Sequence, residues 1–376
     1  MVGISLNYCK RLLFLLLLIN GFHGYSQTTK KNILEIIYKV NDYWQTQNPQ
    51  PGWAFWENAA YHTGNMEVYF LTGEERYRQY SEKWAELNQW KGAKCDDRSK
   101  WKYSYGETDE YVLFGDWQTC FQVYADLYKL NPEAKKIARA VEVMEYQIST
   151  PQNDYWWWAD GLYMVMPVMT KLHNITQNPL YLDKLYEYYT YANSIMYDSA
   201  EQLYYRDAKY VYPKHKTING KKDFWARGDG WVFAALAKVL QELPETNEHR
   251  KEYVQRFQSM AKAIIASQQP EGHWTRSMLD PNHAPGFETS GTAFFTYGLF
   301  WGINNGYLDK TVYLPAAEKG WKYLSSVALQ PDGKIGYIQP IGEKAIPGQV
   351  VDANSTANFG VGAFLLAACE LVRYLD

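Results

Sequence analysis

Apolar residues recur at helical spacing in roughly a dozen separate stretches, and almost nowhere do they alternate as a strand requires. The stretches cover residues 28–45, 65–72, 75–90, 121–130, 133–148, 161–176, 179–196, 230–243, 251–268, 290–304, 314–327 and 358–374. Short turns bearing Gly, Asn, Pro or Asp lead into helices that carry a tyrosine early. Examples are Thr72-Gly73-Glu74-Glu75-Arg76-Tyr77, Thr176-Gln177-Asn178-Pro179-Leu180-Tyr181 and Leu308-Asp309-Lys310-Thr311-Val312-Tyr313. An apolar helix joined by such a turn to a more polar one predicts an antiparallel hairpin. Six hairpins closing on themselves predict an all-α toroid with no open end. Nothing between residues 28 and 376 reads as a linker, so one domain is expected there.

The connections at 51–64, 91–118, 149–161, 198–230, 270–291 and 331–358 are longer and rich in Gly and Trp. On a toroid they would fall at one rim, where a rigid scaffold can position functional loops. Composition narrows what that rim could bind. With 38 Lys and Arg against 41 Asp and Glu, the net charge is −3, which argues against a nucleic-acid partner. Fifteen Trp and 33 Tyr exclude a disordered chain and suit a groove that stacks on flat ligands.

Lys10 and Arg11 precede an apolar run over residues 12–19, and Gly24-Tyr25-Ser26-Gln27 offers small residues for cleavage. Residues 1–27 read as a signal peptide, which predicts an exported, periplasmic protein without a membrane span. Cys9 lies ahead of the apolar run, so it is no lipoprotein cysteine. Cys95, Cys120 and Cys369 show neither a CxxC pair nor metal-ligand spacing with His, so no metal or other cofactor is expected. The sequence carries no signal of oligomeric state.

Four segments could carry chemistry. Trp156-Trp157-Trp158-Ala159-Asp160-Gly161 places a carboxyl group behind indole walls at a helix start. An N-cap role suits Asp160 there, and so does desolvation that lifts its pKa until it can deliver a proton. Phe114-Gly115-Asp116-Trp117-Gln118 supplies a second acid before an apolar helix. Trp225-Ala226-Arg227-Gly228-Asp229-Gly230-Trp231 lacks phosphate-loop spacing but suits a sugar ring bearing a carboxylate: Arg offers a planar fork and Trp a face. Glu288-Thr289-Ser290-Gly291 fits capping better than a serine nucleophile, since neither a nucleophile elbow nor a paired His accompanies it.

Taken together, WWWADGLYM, LYYRD, FWARGDGW, ETSGTAFFTYGLFWGINNGYLD, PDGKIGYIQPIG and GVGAFLLAACEL resemble the unsaturated uronyl hydrolases of glycoside hydrolase families 88 and 105. The likeness is greatest to the rhamnogalacturonyl hydrolase branch and runs from about Trp53 to Leu371. It implies an (α/α)6 barrel, in keeping with the helix count. It also implies that Asp160 is the proton donor and Asp116 its partner. The family commonly has two acids at the second position with a His ahead of them; here a single Asp116 follows Phe114 and Gly115. Trp225, Arg227 and Trp231 match the family's W-x-R-G-x-G-W segment, with Asp229 where Asn is frequent. Trp56, Asn58, Tyr61 and Gly64 resemble its first pocket loop, and Trp158 would wall the sugar. Arg227, with His215 as a second candidate, would meet the substrate carboxylate.

The implied reaction removes a terminal 4,5-unsaturated uronic acid from oligosaccharides released by polysaccharide lyases, on rhamnogalacturonan or ulvan fragments. Protonation of the enol ether at C4 gives an oxocarbenium at C5, water adds there, and the hemiketal opens. The anomeric carbon is not attacked, so carboxylate spacing does not predict stereochemistry. Two other classes stay open at this point: a uronate lyase or inverting hydrolase on the same toroid, and a sugar-binding toroid without catalysis. For the leader, N-terminal sequencing of exported protein is expected to start near Gln27 or Thr28; material still beginning at Met1 would refute the cleavage.

Overall fold

Two kinds of helix alternate through residues 29–376, the part of the chain that the computed structural model describes. The leader read at residues 1–27 and the mature start near Gln27 or Thr28 lie outside it. In chain order the first six helices are α1 Lys30–Gln47, α2 Trp56–Thr72, α3 Glu75–Leu87, α4 in two pieces (Gly115–Gln118 and Cys120–Leu130), α5 Ala134–Ser149 and α6 Ala159–Thr176. The remaining six are α7 Leu180–Met196, α8 Ala226–Glu242, α9 Arg250–Ala266, α10 Thr289–Asn304, α11 Lys310–Tyr323 and α12 Asn358–Leu375. Even-numbered helices are buried on nearly every side: in α10 every residue from Thr289 to Gly302 is buried. Odd-numbered helices bury one stripe, as α9 does with Tyr253, Phe257, Met260, Ala261 and Ile264. A helix apolar all round must be enclosed, and a striped one can cover it.

Contacts follow that logic. Each even-numbered helix packs on the next, and α12 returns to α2, which closes an inner ring. Helices α3, α5, α7, α9 and α11 pack outside their predecessors, while α1 covers α12. The sixth hairpin is therefore assembled from the two ends of the described chain, and Lys30 pairs with Asp376 across them. This is the (α/α)6 barrel expected. Helix α12 is apolar enough by composition to cross a membrane, but it is a buried member of the ring.

The closure between α2 and α12 rests on backbone contact. A Cβ on Gly64 would collide with the Gly362 carbonyl, and one on Gly362 would collide with the Ala60 carbonyl. Gly64 is thus a helix-crossing residue, not part of a pocket loop.

Inner helices begin earlier than their apolar pattern suggests. The pattern starts at residues 65, 121, 161 and 230, whereas the helices start at Trp56, Gly115, Ala159 and Ala226. Their first turns carry acids, amides, Gly and Trp, which mask the period. The connections entering inner helices are long and those leaving them are short, so the six first turns share a rim with the long loops. One such loop contains a two-stranded antiparallel hairpin, β1 Tyr197–Asp198 with β2 Leu203–Tyr204.

Ring closure through two glycines can be tested directly. Gly64→Ala is expected to cost about 1–3 kcal/mol, the usual penalty for overpacking a site that cannot give. A urea midpoint equal to wild type would show that the crossing relaxes.

Candidate active site

A cavity of about 160 Å³ opens at the rim where α2, α4 and α6 begin. Asp116 and Asp160 line it with Trp56, Glu57, Trp158 and Arg206, while Trp53, Tyr105 and Ile341 stand at its exposed edge. Asp116 is the second residue of α4 and Asp160 the second of α6, and each is 7% exposed. Neither caps its helix; the N-cap positions belong to Phe114 and Trp158.

Trp158 brings the two acids together. A Cβ on Gly115 or on Gly161 would lie 3.1 Å from Cη2 of its indole. Glycine beside each acid lets the ring lie between the first turns of α4 and α6. Phe114 stacks on Trp158 at 4.8 Å and Trp157 packs against it at 4.7 Å, so water is excluded from that side.

Burial is the largest influence on both acids and raises both pKa values. Asp116 lies well above the ordinary carboxylate range, pushed further by the charge of Asp160 and also by Glu57 and Glu107. Asp160 is raised by burial but pulled back by Arg206, Arg227 and its own helix N–H. Burial thus biases both carboxyls toward the protonated form, against the pull of Arg206 on both and of Arg227 on Asp160.

Among the described residues that line the cavity, Arg206 is the one cation. Its Nε lies 3.3 Å from Asp160 Oδ2, while Nη1 reaches Asp207 Oδ2 at 2.7 Å and Glu343 Oε2 at 3.4 Å. The guanidinium also rests over Trp157, 5.8 Å from the ring centre. This residue stands in the LYYRD string, but its role was not legible there, because an Arg next to an Asp reads as a surface ion pair.

Arg227, expected to meet the substrate carboxylate, does not line the cavity. It is 1% exposed and donates from Nη1 to the Gln339 carbonyl at 2.6 Å and from Nη2 to the Pro340 carbonyl at 2.9 Å. Trp225 and Phe359 cover its two faces, 4.5 and 4.8 Å away. Arg227 thus clamps the loop that carries Ile341 and Gly342 to the cavity, and it touches the chemistry through its charge. Trp225 serves the same clamp, donating from Nε1 to Gln339 Oε1 at 2.8 Å. Trp231 is buried in the ring against Tyr163 and Phe294. His215 pairs with Asp223 Oδ2 at 2.8 Å, away from the cavity lining.

Of the expected first pocket loop, Trp56 alone reaches the cavity. All four residues lie in the first half of α2, where Asn58 Oδ1 accepts from Asn358 Nδ2 at 2.9 Å and the Tyr61 hydroxyl donates to Asn41 Oδ1 at 2.6 Å. Those two bonds fasten α2 to its neighbours. Sequence reasoning missed Glu57, Tyr105 and Glu107, whose types are common on any surface. Glu57 accepts from Trp53 Nε1 at 2.6 Å, and Tyr105 donates to Glu107 at 2.7 Å.

A raised acid pKa opposes folding once pH exceeds the unfolded value, and it costs nothing below that value, where both states hold the proton. Asp116→Asn is accordingly expected to raise stability at pH 7. The gain should vanish by about pH 4, near the unperturbed value of 3.8. Paired melting curves at the two pH values measure it, and a loss at pH 7 would place Asp116 in an ionised, stabilising role.

The family model described as Glycosyl Hydrolase Family 88 matches residues 28–375. A protein of Formosa agariphila named unsaturated 3S-rhamnoglycuronyl hydrolase is 33% identical over 332 residues, covering 85% of this chain and 84% of its own. A solved structure of a family 88 glycosyl hydrolase from Bacteroides vulgatus is 65% identical, with a TM-score of 0.91 over 93% of this chain and all of its own (100%). A second structure with a TM-score of 0.91 is 72% identical, covers 93% of this chain and 98% of its own, and is described as a polysaccharide lyase. The chain belongs to glycoside hydrolase family 88.

Proposed function

We propose that this enzyme removes a terminal 4,5-unsaturated uronic acid from rhamnose-containing oligosaccharides by hydrating the C4=C5 double bond, with Asp160 and Asp116 as the acid–base pair. One observation carries the reading. Two carboxyl groups whose burial favours the protonated form share a small aromatic cavity. Enol-ether hydration needs a carboxylic acid that still holds its proton near neutrality, then a carboxylate to take one from water. Asp160 delivers a proton to C4; the oxocarbenium forms at C5; Asp160, now ionised, accepts a proton from the water that attacks C5. Asp116 orients that water, and the proton taken from it leaves Asp160 protonated again. Trp56 and Trp158 wall the ring, and the exposed Trp53, Tyr105 and Ile341 suit the next sugar's apolar face. The leader supports a periplasmic site of action, and rhamnogalacturonan or ulvan fragments are the proposed sources.

A second reading has its own support: the 72% identical structure described as a polysaccharide lyase. Elimination would make the double bond that hydration consumes. A base removes the proton at C5, an acid protonates the leaving oxygen on C4, and a cation neutralises the adjacent carboxylate. The same two carboxyls and Arg206 could be arranged for those tasks. The readings differ in sign. Hydration lowers the ultraviolet absorbance of unsaturated oligosaccharides, and elimination raises it from uronosides that carry a sugar on O4.

Wild-type enzyme is expected to lower the absorbance of a lyase digest. Asp160→Asn should slow that loss by about 10²–10⁴-fold, the usual worth of a general acid–base group, with Asp116→Asn as its companion. More than about a tenth of the wild-type rate in the Asp160 variant would move the proton donor elsewhere. An absorbance rise on uronosides substituted at O4, without a fall on the digest, would establish elimination instead.

A further inference from the structure

Arg206 holds its neighbours unevenly. Nη1 serves Asp207 and Glu343, whereas among the described residues no hydrogen bond reaches Nη2, and Nε is buried without one. Nε and Nη2 together form the side-on edge that grips a carboxylate with two parallel bonds. Asp160 Oδ2 stands 3.3 Å from that edge and is likewise buried without a hydrogen bond. The contact is an ion pair in charge and distance, without hydrogen-bond alignment. A guanidinium fork and a carboxylate oxygen thus face each other across the cavity with neither satisfied.

We infer that a uronate carboxylate takes the Nε–Nη2 edge of Arg206, displaces Asp160 from it, and so couples substrate binding to uptake of one proton by Asp160. The inference rests on the uronate reading above and adds how the site is switched on. Charge balances: Arg206 exchanges one carboxylate for another, and Asp160, left buried beside a neutralised cation, takes a proton from solvent. Charged groups of both signs face Asp160. Asp207, from the loop that carries Arg206, and Asp116, from α4, disfavour its anion; Arg227, from α8, favours it but is held by loop carbonyls and covered by Trp225 and Phe359. Glu57 and Glu107 act behind Asp116, and Glu343 stays on Nη1. Arg206 is the one favourable partner that a ligand in the cavity can reach. The enzyme would therefore hold its donor ionised until an acidic sugar arrives, and a neutral sugar would not arm it.

Calorimetry on the full chain tests this with the methyl glycoside of glucuronic acid, a uronate that neither reaction consumes. Methyl glucoside serves as its neutral counterpart. Near neutral pH, binding heats in buffers of different ionisation enthalpy should report uptake approaching one proton per glucuronoside and none for the glucoside. Arg206→Gln should weaken glucuronoside binding at least about thirtyfold, the low end for losing one partner of a buried charge pair. Arg206→Lys, which keeps the charge but not the fork, should recover part of it. On oligosaccharides, Arg206→Gln should lower kcat/KM and move its alkaline limb to higher pH, because Asp160 loses the cation that favours its anion. Binding without proton uptake, equal affinity for the two glycosides, no measurable glucuronoside binding, or unchanged affinity in Arg206→Gln would each overturn the exchange. A wild-type enzyme that leaves every oligosaccharide's absorbance unchanged would instead overturn the reaction reading, and the calorimetric result would stand by itself.

Discussion

Everything at the rim depends on closing a ring of six helices that are too apolar to face water. A helix such as α10, buried at every residue from Thr289 to Gly302, has no stable place in an open array. Closure needs the last inner helix to meet the first at backbone distance, and Gly64 and Gly362 permit it. It also needs an outer partner for α12, and the chain supplies one from its other end, α1. Once the ring is shut, the first turns of its inner helices are held in register by packing on both sides. Side chains placed there inherit that rigidity. Two acids on different helices can then be kept in one small cavity without a loop having to position either of them.

Burial supplies the chemistry as well as the geometry. A helix start lowers the pKa of an acid in its first turn, and a nearby guanidinium lowers it further. Asp116 and Asp160 both occupy such positions, yet both are raised, because Trp158 and its aromatic neighbours remove the water that would otherwise stabilise their charge. Arg206 favours the anion of both acids, and Arg227 favours that of Asp160 in addition. Of these two cations, Arg227 is tied to loop carbonyls and Arg206 faces the cavity. Arginine on the helix frame therefore shapes the site, while arginine on the loop is free to answer the ligand.

The helical toroid was legible in the sequence because its signal is redundant: a dozen stretches agree on one period, and short turns recur between them. The two acids were legible from their motif strings. What stayed hidden follows from local physics. First turns of inner helices must carry functional side chains, so their periodicity is broken where the site begins, and α2 reads as a loop over its first half. Arg227 was read as a ligand for carboxylate because a guanidinium between tryptophans suits that task equally well in a cavity and in a clamp. Its partners are backbone carbonyls at 339 and 340, which no residue type announces. Arg206 was passed over because its value arises from Asp160, Glu343 and Trp157, which lie far away in sequence.

The second position of four of the six inner helices shows how one backbone location is put to different uses. That position holds Glu57 in α2, Asp116 in α4, Asp160 in α6 and Arg227 in α8. All four meet the same helix-start field, so the field cannot distinguish them. Their surroundings do: Glu57 is raised by burial yet held by the Trp53 indole N–H, Asp116 is raised by burial and by its acidic neighbours, Asp160 is raised by burial against the pull of Arg206 and Arg227, and Arg227 is locked onto carbonyls. A ring of equivalent positions is therefore an economical way to vary chemistry, since a change of neighbour alters a proton affinity without altering the backbone.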